Sequence, residues 1–77
     1  MDEYIVRFYM KSNPNKVAVC GKYRNFEFHD WLDSIRTFAT LKEVSAKQMI
    51  YESVTMLFVI ERIDGSDLPR EVLPEEY

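Results

Sequence analysis

The stretch VTMLFVIERI, residues 54–63, is the longest nearly uninterrupted apolar run in the chain and decides its fold. Ten residues are too few to cross a bilayer, which takes about 20. Because the turn sequence DGSD follows at residues 64–67, the run is typical of a buried strand. Its many β-branched side chains, which are stiff at χ1 and fit a pleated sheet, support the same interpretation. They are Val54, Thr55, Val59, Ile60 and Ile63.

Composition predicts one small folded domain. The chain has 77 residues, of which 47% are apolar and 14% aromatic, and this excludes a disordered chain. Cys20 is its one cysteine, so no intrachain disulfide can form. Since no apolar leader opens the sequence, we expect a cytoplasmic protein that does not associate with a membrane.

Charge divides the chain into a basic beginning and an acidic end. Residues 1–25 hold five basic and two acidic residues, whereas residues 64–77 hold five acidic residues and one basic residue. The sequence predicts a single α+β domain over residues 1–63 and an acidic, extended or disordered tail over residues 64–77. Prolines after Leu68 and Leu73 favour extended backbone there. Three apolar tail residues could attach it to a surface: Val72, Leu73 and Tyr77.

The first part of the chain predicts a β-hairpin. Apolar and polar residues alternate over residues 3–11 and again over residues 16–24, which is the period of a strand. Between them, Pro14 and its flanking asparagines predict a turn. The second strand could continue through Phe26 and Phe28. Gly21 within it indicates a bulge or a close backbone approach.

A helix is predicted over residues 30–40, with Asp30 as its N-cap and Asp33 in its first turn. Its apolar stripe would consist of Trp31, Leu32, Ile35, Phe38 and Ala39. We expect a loop or short helical turn at 41–47, followed by one long or two short strands. The predicted fold class is α+β, a small antiparallel sheet of β-β-α-β or β-β-α-β-β order with one helix packed on one face.

No constellation of residues predicts catalysis. His29 and Cys20 lack a neighbouring catalytic partner in the sequence. The acidic pairs Asp30 with Asp33 and Glu75 with Glu76 are better explained by helix capping and by a solvated tail, and alone they give a metal too few ligands. We therefore expect no enzymatic activity, no cofactor and no metal.

Two functions remain. The first is a small protein-interaction module that forms a homodimer or binds a host protein, as a regulator or inhibitor of the kind that phages and mobile elements encode. Its aromatic residues and methionines exceed what one helix on a sheet covers, and interfaces are enriched in both. The helix accounts for one face of the run at 54–63, so a partner would cover the other. The interface candidates are Met56, Phe58, Ile60 and Tyr51.

The alternative function is binding of single-stranded nucleic acid by the basic hairpin. If the two strands present their basic residues on one face, the cations would surround an aromatic platform for bases. The overall pI of about 5.0 weighs against this alternative. Its candidate residues are Arg7, Tyr9, Lys11, Lys22 and Arg24.

Overall fold

A computed structural model describes residues 3–74, which form a five-stranded antiparallel sheet and one α-helix. The elements in chain order are β1 (Glu3–Met10), β2 (Asn13–Arg24), α1 (Asn25–Ile35), β3 (Thr40–Val44), β4 (Gln48–Glu52) and β5 (Met56–Arg62). The strand order in the sheet is β2-β1-β5-β4-β3. The predicted α+β class and antiparallel sheet are confirmed, with one strand more than the longer predicted order.

Strands β1 and β5 lie at the centre of the sheet because their apolar side chains alternate in register. Val6 of β1 lies opposite Ile60 of β5, and both are fully buried. Phe8 likewise lies opposite Phe58, with the rings edge to face and their centroids 5.3 Å apart. The predicted central strand is confirmed for Met56–Arg62. The two residues before it, Val54 and Thr55, belong to a turn and are exposed.

Aromatic contacts hold helix α1 on one face of the sheet. The ring of Phe28 stacks on Tyr4 of β1 at 3.8 Å between centroids, and Trp31 stacks on Tyr23 of β2 at 5.5 Å. Gly21 lets the Tyr23 ring lie across its own strand, since a Cβ at Gly21 would come within 2.9 Å of that ring. The close approach at this glycine is thus made by a side chain and not by backbone as predicted.

The predicted helix bounds of 30–40 are wrong, because α1 begins at Asn25 and ends at Ile35. The N-cap is Arg24, in extended backbone, and Asp30 lies inside the helix on its exposed side. Phe28 is therefore a helical core residue rather than a continuation of β2, and Phe26 is 85% exposed. Phe28, Leu32 and Ile35 follow at i, i+4 and i+7 and form the buried stripe.

The prediction of a loop or short helical turn at 41–47 is also wrong, because Thr40–Val44 forms strand β3 and pairs with β4. For the residues that follow, one long strand or two short strands were predicted, and the structure has two short strands, β4 and β5. Strands β4 and β5 are joined by a turn in which the Ser53 amide donates to the Met56 carbonyl at 2.9 Å. The Ser53 hydroxyl accepts from the Met56 amide at 3.1 Å.

Residues 64–74 complete the core that the helix leaves open. Leu68 and Val72 are buried and belong to the same hydrophobic core as the buried residues of α1 and of the sheet. The Leu68 amide donates to the Ala46 carbonyl at 2.7 Å. Arg36, just after the helix, donates to the Tyr51 hydroxyl at 3.0 Å and to the Val72 carbonyl at 3.4 Å. This arginine joins the helix, the sheet and the C-terminal segment.

The predicted extended tail is therefore not confirmed. Its described part contains neither helix nor strand, yet Val72 is fully buried and Leu73 is partly buried against the core. Both belong to the apolar residues expected to attach the segment. Glu75, Glu76 and Tyr77 lie outside the described residues.

We predict that Val72→Ala destabilises the protein, because Val72 is 0% exposed and its loss leaves a cavity. The free energy of unfolding should fall by about 2 kcal/mol, measured by urea denaturation. The same change at Val54, which is 90% exposed, should leave it within about 0.5 kcal/mol of the parent. Equal effects of the two changes would contradict the packed C-terminal segment.

Candidate interaction site

The face of the sheet opposite the helix, here named the open face, is the most extensive candidate site. Helix α1 and the buried residues of the segment 64–74 pack on the other face of the sheet. Because side chains alternate along a strand, the open face carries those that the core does not use. Its apolar members are half-buried: Ile5, Tyr9, Ile50, Leu57 and Val59.

A shallow groove of about 230 Å³ lies on this face. Its floor is formed by Tyr9, Ile50, Leu57 and Val59 from three central strands, and Lys42 and Glu43 of β3 line one side. Pro14 lines the groove as well, although β2 lies at the other edge of the sheet. The register shifts between Tyr9 and Met10, so that residues 14–16 loop out of the β1–β2 ladder.

Ion pairs stand at both ends of the groove. At one end Arg7 donates to Glu61, which also accepts a bond of 3.0 Å from the Gln48 side chain. At the other end Lys11 lies 3.1 Å from the Glu52 carboxylate, and Lys42 approaches it to 4.0 Å. Exposed pairs of this kind stabilise a fold by at most about 1 kcal/mol each. Here they leave the apolar middle of the groove uncovered.

The pairs also shift the pKa values of Arg7 and Glu52. The hydrogen bond from Arg7 to Glu61 raises the pKa of the arginine, so its charge is held on the open face. The hydrogen bond from Lys11 lowers the pKa of Glu52 below its ordinary value. Glu52 therefore keeps its charge to lower pH than an isolated glutamate would.

Charge is distributed unevenly across the open face. Cations lie mainly on the β1–β2 side, where Arg7, Lys22 and Lys11, the residue after β1, share the face. Carboxylates lie on the other three strands, with Glu61 on β5, Glu52 on β4 and Glu43 on β3. Glu3 and Lys42 are the exceptions. One side of the face is thus mainly basic and the other mainly acidic.

The five residues of the nucleic-acid alternative do lie on one face. Register places Cys20 beside Arg7, Lys22 beside Ile5 and Arg24 beside Glu3, so the basic residues of both strands share the open face with Tyr9. Arg7 and Lys11 form ion pairs with carboxylates, and the Tyr9 ring is half-buried in the groove. Lys22 and Arg24 are exposed.

The four interface candidates lie on the helix-covered face instead. Tyr51, Phe58 and Ile60 are buried in the core, and Met56 packs against it. An interaction role stays a prediction, but these side chains are not on the open surface. Ile50, Leu57 and Val59, which alternate with them, are not among the residues that the sequence pattern predicted for the interface. The alternation of side chains along each strand identifies which residues share a face, but not which face the helix covers.

The residues weighed for catalysis are dispersed. Cys20 is exposed on the edge strand β2, and His29 is half-buried on the helix beside Phe28. Asp30 and Asp33 are exposed on the same helix. Within residues 3–74, no group of three or more histidine, cysteine, aspartate or glutamate side chains could hold a metal ion.

Comparison with protein-family models, with curated proteins and with solved structures finds no match to this chain. Helix α1 has 11 residues, and no helix in the described range 3–74 is long and apolar enough to cross a membrane.

We predict that Lys11→Gln raises the pKa of Glu52, because the lysine hydrogen bond is the main cause of its lowering. A carboxylate with a lowered pKa stabilises the folded state above the unfolded-state pKa, and this contribution is lost as the pH falls through the folded-state pKa. The acid side of the stability profile should accordingly flatten in the variant. Titration of the Glu52 carboxyl carbon by NMR measures the shift directly.

Lys47→Gln is the matched control, since Lys47 pairs with Asp67 at 3.2 Å and not with Glu52. It should leave the Glu52 titration unchanged. A Glu52 titration that does not respond to loss of Lys11 would show that the pair does not persist in solution.

Proposed function

We propose that this protein is a non-enzymatic protein-interaction module that binds its partner through the open face of the sheet. One observation carries the proposal, namely that the half-buried apolar groove around Leu57 and Val59 lies on the face that the helix does not cover. A sheet with apolar side chains on both faces gains free energy when a second layer covers the open one.

The simplest partner is a second copy of the chain. In a face-to-face pair with the two-fold axis parallel to the strands, β2 of one copy lies over β3 of the other. This places the basic side of each open face against the acidic side of its partner, so Lys22 of one copy approaches Glu43 of the other. Charge complementarity of this kind favours the correct pairing and disfavours others.

Such a pair would be a two-layer β-sandwich with a helix on each outer surface. A small module of this form has no need of catalytic groups. Its role would be that of a regulator or inhibitor, which acts by occupying the surface of another protein.

The test is Val59→Lys, which places a charge at the centre of the groove. We expect the parent protein to sediment as a dimer at micromolar concentration and the variant as a monomer, because an unpaired charge in an apolar interface is strongly unfavourable. Val54→Lys is the matched control, since Val54 is exposed in the β4–β5 turn and outside the groove.

Both variants should retain the parent's far-ultraviolet circular dichroism and a cooperative melt. A parent that sediments as a monomer throughout the micromolar range would reject self-association. Dimers that survive Val59→Lys would show that copies associate by a different surface.

Binding of single-stranded nucleic acid is the second candidate, favoured by the placement of all five basic and aromatic candidates on one face. The exposed cations Lys22 and Arg24 would contact phosphates, and Tyr9 would meet a base. The net charge of −3 and the ion pairs of Arg7 and Lys11 weigh against it.

Titration of the protein with a fluorescent oligothymidylate at low and high salt separates the two candidates. Nucleic-acid binding predicts an affinity that falls steeply with salt and falls further in Lys22→Glu. If the oligonucleotide does not bind at low salt, this second function is eliminated.

A further inference from the structure

Strand β2 forms one edge of the sheet and is unusually open. It has 12 residues, whereas the opposite edge strand β3 has five. Residues 13–20 are all exposed, even though a strand at the edge of a sheet usually buries alternate side chains. Val19 is 58% exposed although it points to the helix side, because α1 packs only on the far end of the hairpin. Such an edge is a template for another strand.

The register identifies which backbone groups of β2 point outward. The Lys11 amide donates to Thr55, and the Ile63 amide donates to Glu3, so odd-numbered residues of β1 bond to the β5 side. Even-numbered residues of β1 therefore bond to β2, because the two sides alternate along an antiparallel strand. Their partners on β2 are Val19, Gly21 and Tyr23. The intervening Cys20 and Lys22 direct their amide and carbonyl groups away from the sheet.

Charge restricts what can pair with this edge. Residues 13–24 contain Lys16, Lys22 and Arg24 and no acidic residue. If β2 paired with β2 of a second copy, three cations on each strand would face one another, and like charges on adjacent strands are unfavourable. A strand that carries glutamate or aspartate side chains would instead place opposite charges beside these cations, which is favourable.

We propose that the β2 edge binds an extended acidic segment of another protein, which adds to the sheet as a sixth strand. The backbone of Cys20 and Lys22 supplies the hydrogen bonds, as in other cases of strand addition. Side chains of the incoming strand alternate, so acidic ones lie on the open-face side near Lys22. The intervening ones are apolar and lie on the helix side near Val19.

This inference rests on the proposed role in protein interaction, but it is independent of self-association. In a face-to-face dimer the two sheets stack, and the outward backbone groups of Cys20 and Lys22 remain at the edge. The module would then join to itself by one surface and to its target by another.

The test uses a fluorescein-labelled synthetic peptide in which valine and glutamate alternate, with binding followed by fluorescence anisotropy. We expect the peptide to bind and to protect the Cys20 and Lys22 amides from hydrogen exchange. A peptide with lysine in place of glutamate should not bind, nor should the acidic peptide with N-methylated amides.

Cys20→Pro removes one outward amide without breaking a bond to β1, and proline is tolerated on the free side of an edge strand. Peptide affinity should fall about tenfold, as for the loss of one backbone hydrogen bond. Cys20→Ala, the control, should bind as the parent does. The double change Lys16→Glu with Lys22→Glu keeps every amide and should also weaken binding, so a test remains if the proline variant does not fold.

The proposal is overturned if the acidic peptide does not bind at millimolar concentration, or if N-methylation leaves binding unchanged. It is also overturned if an oligothymidylate displaces the peptide and binds more tightly, since the cations of β2 would then form a binding site for nucleic acid. Sedimentation of the same samples separates the two proposals, because a monomer that binds the peptide rejects the dimer and retains the edge site.

Discussion

Strands about 4.8 Å apart make a five-stranded sheet about 20 Å wide, whereas one α-helix covers about 10 Å. Helix α1 therefore covers only the β2–β1–β5 part of the helix face, where Phe28 and Trp31 meet Tyr4 and Tyr23. Leu68 and Val72 cover the remainder above β4. The contacts of Arg36 with Tyr51 and with Val72 lie at the junction of these two covers.

Helix α1 and the C-terminal segment both lie on the first face of the sheet. No described residues are therefore left to cover the second face. The apolar residues of the open face are instead partly shielded by their neighbours. Arg7 with Glu61 joins the adjacent strands β1 and β5, whereas Lys11 with Glu52 reaches from the end of β1 to β4, and the two pairs close the two ends of the groove. An open face with an apolar centre and charged ends has the composition of an interface, in which a buried centre is surrounded by a polar rim.

The two candidate surfaces differ in the forces they offer a partner. The open face offers apolar area and complementary charge, which suit a second sheet packed face to face. The β2 edge offers unpaired backbone groups and cations, which suit a single extended strand. Because one surface uses side chains and the other uses backbone, single substitutions can affect them separately. Val59 belongs to the first surface, and Cys20 belongs to the second.

Sequence patterns correctly predicted the features that depend on local periodicity. Alternation over residues 3–11 and 16–24 predicted β1 and β2, and the β-branched run predicted β5 at the centre of the sheet. The sequence pattern predicts a start of helix α1 that is five residues too far along the chain, because Phe26 and Phe28 alternate as in a strand and Asp30 resembles an N-cap. The stack of Phe28 on Tyr4, a contact distant in sequence, favours the earlier start.

The sequence by itself determined the strand alternation, the α+β class and the uneven charge. Only the tertiary structure decided which set of alternating residues is covered. The alternation of side chains along a strand separates Phe58 and Ile60 from Leu57 and Val59. It does not show which of the two sets the helix covers, and the set predicted as the interface is the one that is buried. Likewise, the acidic composition of residues 64–77 favours a tail that Val72 could at most attach to a surface, whereas the burial of Leu68 and Val72 in the core depends on a gap beside the helix that no local pattern records.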